Sequence, residues 1–243
     1  MATAINSLPL RHELKFFISP SQYFLLSRAL DRVLERDPNG DENNEYAIRS
    51  LYFDTVWNDA LFDKLAGVQN RDKYRIRIYN YSDRVIKMEC KTKYGNLISK
   101  RSISIPRDLC EQLIAGDPTG LENTRSGLLR DVYREMTVNL LRPVVIVDYV
   151  REAYLHEAEE VRITFDKQLR SGMRSIELFN PYVATVPPFD HGEMILEVKY
   201  NHSLPPYIRD VLCTYCPNAV QSAISKYTWC RRFEELDPDN RTW

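Results

Sequence analysis

Lys73-Tyr74-Arg75-Ile76-Arg77-Ile78 alternates a cation with an apolar or aromatic residue for six positions. In a β-strand, side chains i and i+2 share a face, so Lys73, Arg75 and Arg77 lie on one side and Tyr74, Ile76 and Ile78 on the other. The same parity recurs along the chain. Lys87, Glu89, Lys91 and Lys93 oppose Ile86, Met88 and Cys90, and Lys100 falls opposite the face set by Ile103 and Ile105. Arg11, Glu13 and Lys15 oppose Leu14, Phe16 and Ile18, while Arg162, Thr164 and Asp166 oppose Val161, Ile163 and Phe165. Glu193, Ile195, Glu197 and Lys199 oppose Met194, Leu196, Val198 and Tyr200.

One amphipathic strand needs no more than a solvated face to explain it. Six such strands with Arg and Lys recurring at their centres point elsewhere, because a solvated face mixes Ser, Thr, Gln and both charge signs. The apolar faces need cover, which amphipathic helices can supply from outside. A sheet covered in that way and closed to remove its edges is a polar-lined barrel. Confined like charges repel and are costly to desolvate, so such a lining calls for a dense polyanion. Triphosphate or polyphosphate fits: Arg offers forked donors to phosphate oxygens and Lys a point charge. Glu13, Glu89 and Glu197 then either neutralise neighbouring cations or hold Mg²⁺ or Mn²⁺ through hard oxygens.

Strands are expected at about 10–18, 46–54, 71–80, 84–94, 97–105, 143–153, 160–168 and 192–200, with a ninth near 174–186. A helix opens at Ser19-Pro20-Ser21-Gln22 with a capping box and continues on Tyr23, Leu26, Leu30 and Val33. Others are expected from Asn58 to Leu65 (stopped by Gly67), from Pro106 to Gly116, from Ser126 to Leu141 and from Ala219 to Leu236. No repeat or Pro/Gly/Ser linker divides the chain, so residues 1–243 read as a single domain with 1–9 and 237–243 as flexible ends.

The 33 Lys and Arg balance 34 Asp and Glu, so phosphate binding has to come from charge arrangement and not from net charge. The N-terminal stretch does not read as a signal peptide, and no apolar run is long enough for a membrane helix. Five cysteines without framework spacing fit a reducing cytoplasm. Cys213-x-x-Cys216 has no second ligand pair, and Pro217 marks a helix end there. The four histidines have no ligand spacing. An RNA-binding barrel would interleave aromatics with the cations for base stacking, and these faces are poor in them.

Arg11-x-Glu13-x-Lys15-Phe16, Ile48-Arg49-Ser50-Leu51-Tyr52-Phe53-Asp54, Arg75-Ile76-Arg77, Glu89-x-Lys91, Tyr149-x-Arg151, Val161-Arg162-Ile163, Leu196-Glu197-Val198-Lys199 and Ser225-Lys226 occur in this order. In that order and parity the chain resembles the VTC-type polyphosphate polymerase domain, one of the triphosphate tunnel metalloenzymes related to CYTH proteins, over residues 10 to 233. The resemblance implies an α+β fold: an eight-stranded antiparallel β-barrel tunnel, helices packed outside and a C-terminal helix at one tunnel end. It implies transfer of the γ-phosphate of ATP to a growing polyphosphate chain, with Mn²⁺ or Mg²⁺ required. Lys15, Arg75, Arg77, Lys91, Lys100, Arg151, Arg162 and Lys226 would form the catalytic phosphate-binding ring. Tyr149, Lys199 and Ser225 would assist substrate binding, and Glu197, Glu89 and Glu13 would serve the metal.

Two departures from the pattern matter. Arg11 stands where CYTH proteins carry the first Glu of Glu-x-Glu-x-Lys, which disfavours hydrolysis by their route. Ala223 stands where the polymerase branch has a further Lys, three residues before Lys226. The membrane segments and accessory domain of eukaryotic members are not found here, so a stand-alone cytoplasmic version is expected, with ATP and polyphosphate as partners and no nucleic acid. A triphosphatase and a non-catalytic polyphosphate-binding module are the alternative functions.

Overall fold

The computed structural model describes residues 10–189 and 192–235. The expected flexible ends and the end of the last helix at Leu236 lie outside these residues, as does His191. Among the described residues the fold is α+β, an antiparallel sheet of nine strands with six α-helices. The strands are β1 (His12–Ile18), β2 (Glu35–Arg36), β3 (Glu45–Asp54), β4 (Asn70–Tyr79), β5 (Ser82–Tyr94), β6 (Leu97–Ser104), β7 (Arg142–His156), β8 (Val161–Ser171) and β9 (Met194–Tyr200). The helices are α1 (Pro20–Leu30), α2 (Asp59–Leu65), α3 (Arg107–Ile114), α4 (Gly127–Val138), α5 (Pro206–Tyr215) and α6 (Lys226–Glu235).

Strand order is β1-β9-β8-β7-β3-β4-β5-β6, with β2 paired to β7. This is a linear path, and among the described residues no ladder joins its ends, so the sheet is not the closed eight-stranded barrel of the sequence reading. The ninth strand is the short β2. The strand expected near 174–186 is irregular chain, tied down at one bridge between Ser171 and Val186. Arg49 explains why that segment needs no ladder. Its guanidinium forks onto Asp148 (Nε–Oδ1 2.9 Å, NH2–Oδ2 2.7 Å) and donates to the carbonyls of Leu178 and Asn180. Backbone acceptors that a strand would pair are satisfied here by a buried side chain.

The chain forms two compact units. The first holds the chain up to Ala47, Tyr149–Leu169 and Phe189–Ser225; the second holds Ile48–Asp148, Arg170–Pro188 and the chain from Lys226.

In the first unit Ile18, Ile163, Phe165, Leu196 and Val198 pack against Leu26 and Leu30 of α1 and Ile208 of α5. The capping box of α1 forms as expected, with Gln22 N–H donating to Ser19 Oγ (3.2 Å) and Ser19 N–H to Gln22 Oε1 (2.9 Å). The α5 helix was not drawn from sequence, although its end at Cys216 matches the stop signal of Pro217. Residues 219–225 are not helical. Gln221 bridges to Phe16, and Ser222 N–H donates to the Lys15 carbonyl (2.9 Å), so pairing with β1 replaces the first two turns expected of the last helix.

In the second unit Tyr74, Ile76, Ile78, Met88 and Cys90 pack against Cys110 and Leu113 of α3 and Leu129 and Val132 of α4. Burial of each such side chain contributes about 1.5–3 kcal/mol. Helix α2 ends where expected because Gly67 adopts φ +75°, a conformation that costs glycine little. Helix α4 stops at Val138, earlier than expected, because Leu140 turns left-handed (φ 52°) to lead into β7.

Candidate active site

The apolar sides of β4, β5 and β6 are committed to the core, which leaves the alternate residues of all three strands on the opposite face. Their antiparallel register sets these residues in rows. Arg71 faces Lys93; Lys73 faces Lys91, which faces Lys100; Arg75 faces Glu89, which faces Ser102; and Arg77 faces Lys87. Eight cations in these rows thus surround a single carboxylate. Like charges directly opposite one another on a sheet destabilise it. Only Glu89 offsets them within the rows, and it is 1% exposed.

Arg75 donates to Glu89 through Nε (2.8 Å) and to Tyr52 Oη through NH1 (2.8 Å). Lys100 Nζ reaches the other Glu89 oxygen at 2.8 Å, Arg77 NH1 approaches at 3.9 Å, and Arg77 Nε donates to Ser50 Oγ (3.2 Å). Burial alone would raise the Glu89 carboxyl. Arg75, Arg77 and Lys100 outweigh it and hold Glu89 well below the usual carboxylate range. Lys100 moves the other way, downward, because its burial outweighs the pull of Glu89. Lys226, the first residue of α6, is buried in this same unit. Its neighbour Tyr227 stacks on Tyr52 (5.2 Å) under Lys73 Nζ (5.1 Å) and donates to Asp54.

The first unit carries a differently composed polar face on β1, β9 and β8. Lys15 faces Glu197, which faces Thr164; Glu13 faces Lys199, which faces Arg162. Signs alternate here instead of repeating. Lys15 Nζ lies 3.1 Å from Glu13 and 3.3 Å from Glu197, and donates to the Ile224 carbonyl (3.1 Å), beside Ser225. Burial would lower the Lys15 ammonium, but Glu197 and Glu13 outweigh it and hold it above its ordinary value. Lys199 donates to Glu197 (2.6 Å), yet burial pushes its ammonium down to about 8. Arg151 lies over the Tyr149 ring (5.3 Å), forks onto Asp166 (2.6 and 2.7 Å) and approaches Glu197 at 3.5 Å. Arg162 is held by Asp37 (2.6 Å) and Tyr46 (2.9 Å).

The structure therefore gathers Arg75, Arg77, Lys91, Lys100 and Glu89 on one face, and Lys15, Glu13, Glu197, Lys199, Arg151 and Arg162 in another cluster. Sequence parity had not singled out Asp37, Tyr46, Asp166, Tyr52 and Asp54 as their partners. These contacts depend on register and loop paths that alternation does not encode.

Among the described residues no group of three or more His, Cys, Asp or Glu is arranged to hold a metal. Mg²⁺ and Mn²⁺ do not require one, since one or two carboxylates with phosphate oxygens and water suffice. Glu13 and Glu197 are carboxylates of that kind, each with an oxygen within 3.3 Å of the Lys15 ammonium, so a metal between them would take the place of that cation. Glu197 and Glu89 are alike in having both oxygens engaged by cations, Glu197 by Lys15, Lys199 and Arg151 and Glu89 by Arg75 and Lys100.

The bh2851 protein of Bacillus halodurans is 14% identical over 90% of this chain and 97% of its own, with a TM-score of 0.50, which places the two in one fold. The PH1819 protein of Pyrococcus horikoshii is 11% identical over 91% of this chain and 98% of its own (TM-score 0.48). The Pct1 RNA triphosphatase of S. pombe is 14% identical over 85% and 74% (TM-score 0.32). No curated protein matches the chain. No described helix is long and apolar enough to cross a membrane. The VTC domain model matches residues 10–233, nearly the whole length, and the chain belongs to the VTC domain family.

Proposed function

We propose that this protein is a metal-dependent phosphotransferase that binds ATP and polyphosphate and transfers the γ-phosphate to a growing polyphosphate chain. One observation carries the reading: the rows of like charge on β4, β5 and β6, eight cations around Glu89. Stacking cations across three adjacent strands costs stability unless a dense polyanion lies on them. The reading of 1–243 as one functional domain and its cytoplasmic location belong to this proposal.

In this reading Arg75, Arg77, Lys91 and Lys100 hold phosphate oxygens, with Lys226 assisting from α6. Lys15, Arg151, Arg162 and Lys199 bind phosphate from the other cluster, supported by Tyr149 and Ser225. Glu13 and Glu197 would hold the divalent cation in place of the Lys15 ammonium between them, and Glu89 keeps the surrounding cations aligned. When bound, Mn²⁺ or Mg²⁺ neutralises charge on the phosphates. No protein nucleophile is needed. The terminal oxygen of the polyphosphate attacks the γ-phosphorus, the bond from that phosphorus to the β–γ bridging oxygen breaks, and ADP leaves with the electron pair. The protein contributes position and fixed positive charge.

The test is to incubate the protein with ATP and Mn²⁺ or Mg²⁺, with and without a short polyphosphate primer, and to resolve products by gel and phosphorus NMR. Chains longer than the primer, formed with ADP, are expected. Orthophosphate without chain growth would make the protein a triphosphatase. Binding without turnover would make it a polyphosphate-binding module.

A further inference from the structure

Lys73 belongs to the row of three lysines on the cation-rich face: it faces Lys91, which faces Lys100. Its ammonium lies over the Tyr227 ring, with Nζ 5.1 Å from the centroid. An aromatic face attracts a cation but carries no net charge, so it holds the ammonium in place without neutralising it as a carboxylate would. The ring is itself fixed. Tyr227, in the first turn of α6, is 1% exposed and stacks on Tyr52 with the planes 30° apart. Its hydroxyl donates to Asp54, a buried carboxylate that accepts the backbone N–H groups of Thr55 (2.8 Å), Ala60 (2.9 Å) and Leu61 (3.2 Å) at the start of α2. Further along α6, Arg231 NH2 donates to Asn58 Oδ1 (2.8 Å). Tyr52 repeats the arrangement one position along the same face of β4: the Arg75 guanidinium lies over its ring (5.6 Å) and donates to its hydroxyl. Two successive cations of that face are thus seated on two stacked phenol rings.

We propose that Lys73 is a further phosphate-binding residue of the cation-rich face and that Tyr227 is its positioning residue, the ring keeping the ammonium charged and aligned for a phosphate oxygen. The inference rests on the reading of that face as a site for a chain of phosphates. A lysine has a long, flexible stem and a compact charge, so aligning it costs more than aligning an arginine fork. A rigid neutral seat meets that cost before the ligand arrives, which is how preorganisation gains affinity. It also extends the phosphate track along β4 from Arg77 through Arg75 to Lys73.

The experiment titrates wild-type protein, Tyr227→Phe, Tyr227→pentafluorophenylalanine and Lys73→Met with tripolyphosphate by calorimetry, with no nucleotide or metal present. Phenylalanine keeps the ring face and loses only the hydroxyl; fluorination keeps the shape and reverses the potential of the face. Tyr227→Phe should bind within about 3-fold of wild type, and the fluorinated ring about 5-fold more weakly than phenylalanine, on the scale of a cation–π contact. Lys73→Met should bind about 10-fold more weakly than wild type, and adding the fluorinated ring to it should cost nothing further, because the two changes remove one interaction. The two ring variants share a shape, so equal affinities would reduce Tyr227 to packing and overturn the inference. Tighter binding with the fluorinated ring would also overturn it, by showing that the ring competes with phosphate for the ammonium. Lys73→Met needs no ring variant to fold, and wild-type affinity there would overturn the assignment of Lys73 while leaving Arg75 and Arg77 standing. A wild-type protein that binds no tripolyphosphate would remove the reading of the whole face together with this inference.

Discussion

Arg77→Ala is expected to slow chain elongation by about 10²–10³-fold, the loss typical when one preorganised charged donor is removed from a transferring group. Arg77 is a good candidate for so large an effect because it is 5% exposed and its side chain is already fixed against Ser50 and Glu89. Little reorganisation then accompanies substrate binding. Glu89 keeps Arg75 and Lys100 in the variant, so the fold should survive. Arg77→Lys restores the charge without the planar fork and should recover only part of the rate. Arg75→Ala should behave similarly, and the double variant should be little worse than either, as expected for groups acting on one phosphoryl. The check is steady-state elongation of a primer beside urea denaturation. Elongation within about 3-fold of wild type in Arg77→Ala would reduce this arginine to a structural counter-charge for Glu89.

Glu197→Gln should produce the largest combined effect on binding and stability. This one carboxylate faces Lys15 (3.3 Å), Lys199 (2.6 Å) and Arg151 (3.5 Å), all buried or nearly so. Breaking buried ion pairs by removing one partner typically costs about 3–5 kcal/mol. Glu13 still serves Lys15 and Asp166 still serves Arg151, which places the expected loss at the lower end. Mn²⁺ affinity should fall by at least about 10-fold, with activity falling beside it. Denaturation in urea reads the first effect and metal titration the second. A variant as stable as wild type with unchanged metal affinity would mean that Glu197 neither anchors the cations nor holds the metal.

Much of this architecture is legible in the sequence, for a physical reason. A strand with one buried face must alternate, so Lys73 to Ile78 and Lys87 to Lys93 declare both strand and face without knowledge of their neighbours. Capping chemistry is equally local, and the Ser19–Gln22 box formed as read. Register is not local. Nothing in the alternation reveals that Lys73, Lys91 and Lys100 fall in one row, or that Glu197 sits between Lys15 and Thr164. The same limit explains the misread ends. Residues 219–225 carry a helical pattern, but pairing of Gln221 with Phe16 draws them away from it. The 174–186 stretch lacks a ladder because Arg49 takes its carbonyls, a contact across more than 120 positions of sequence. The candidate residues followed from parity and from the family resemblance, whereas their division into a cation-rich face and a carboxylate-bearing cluster required the strand pairing.

The central claim is that the rows on β4, β5 and β6 are built for a chain of phosphates, and the most direct measurement is calorimetric titration of the wild-type protein with tripolyphosphate at low and high salt, with sulfate as the control anion. The account predicts saturable tripolyphosphate binding, far tighter than sulfate, weakening as salt screens the cations, and a stabilisation of about 2.7 kcal/mol at a ligand concentration 100 times Kd. Tripolyphosphate that binds no better than sulfate, or that leaves the melting temperature unchanged, would contradict it.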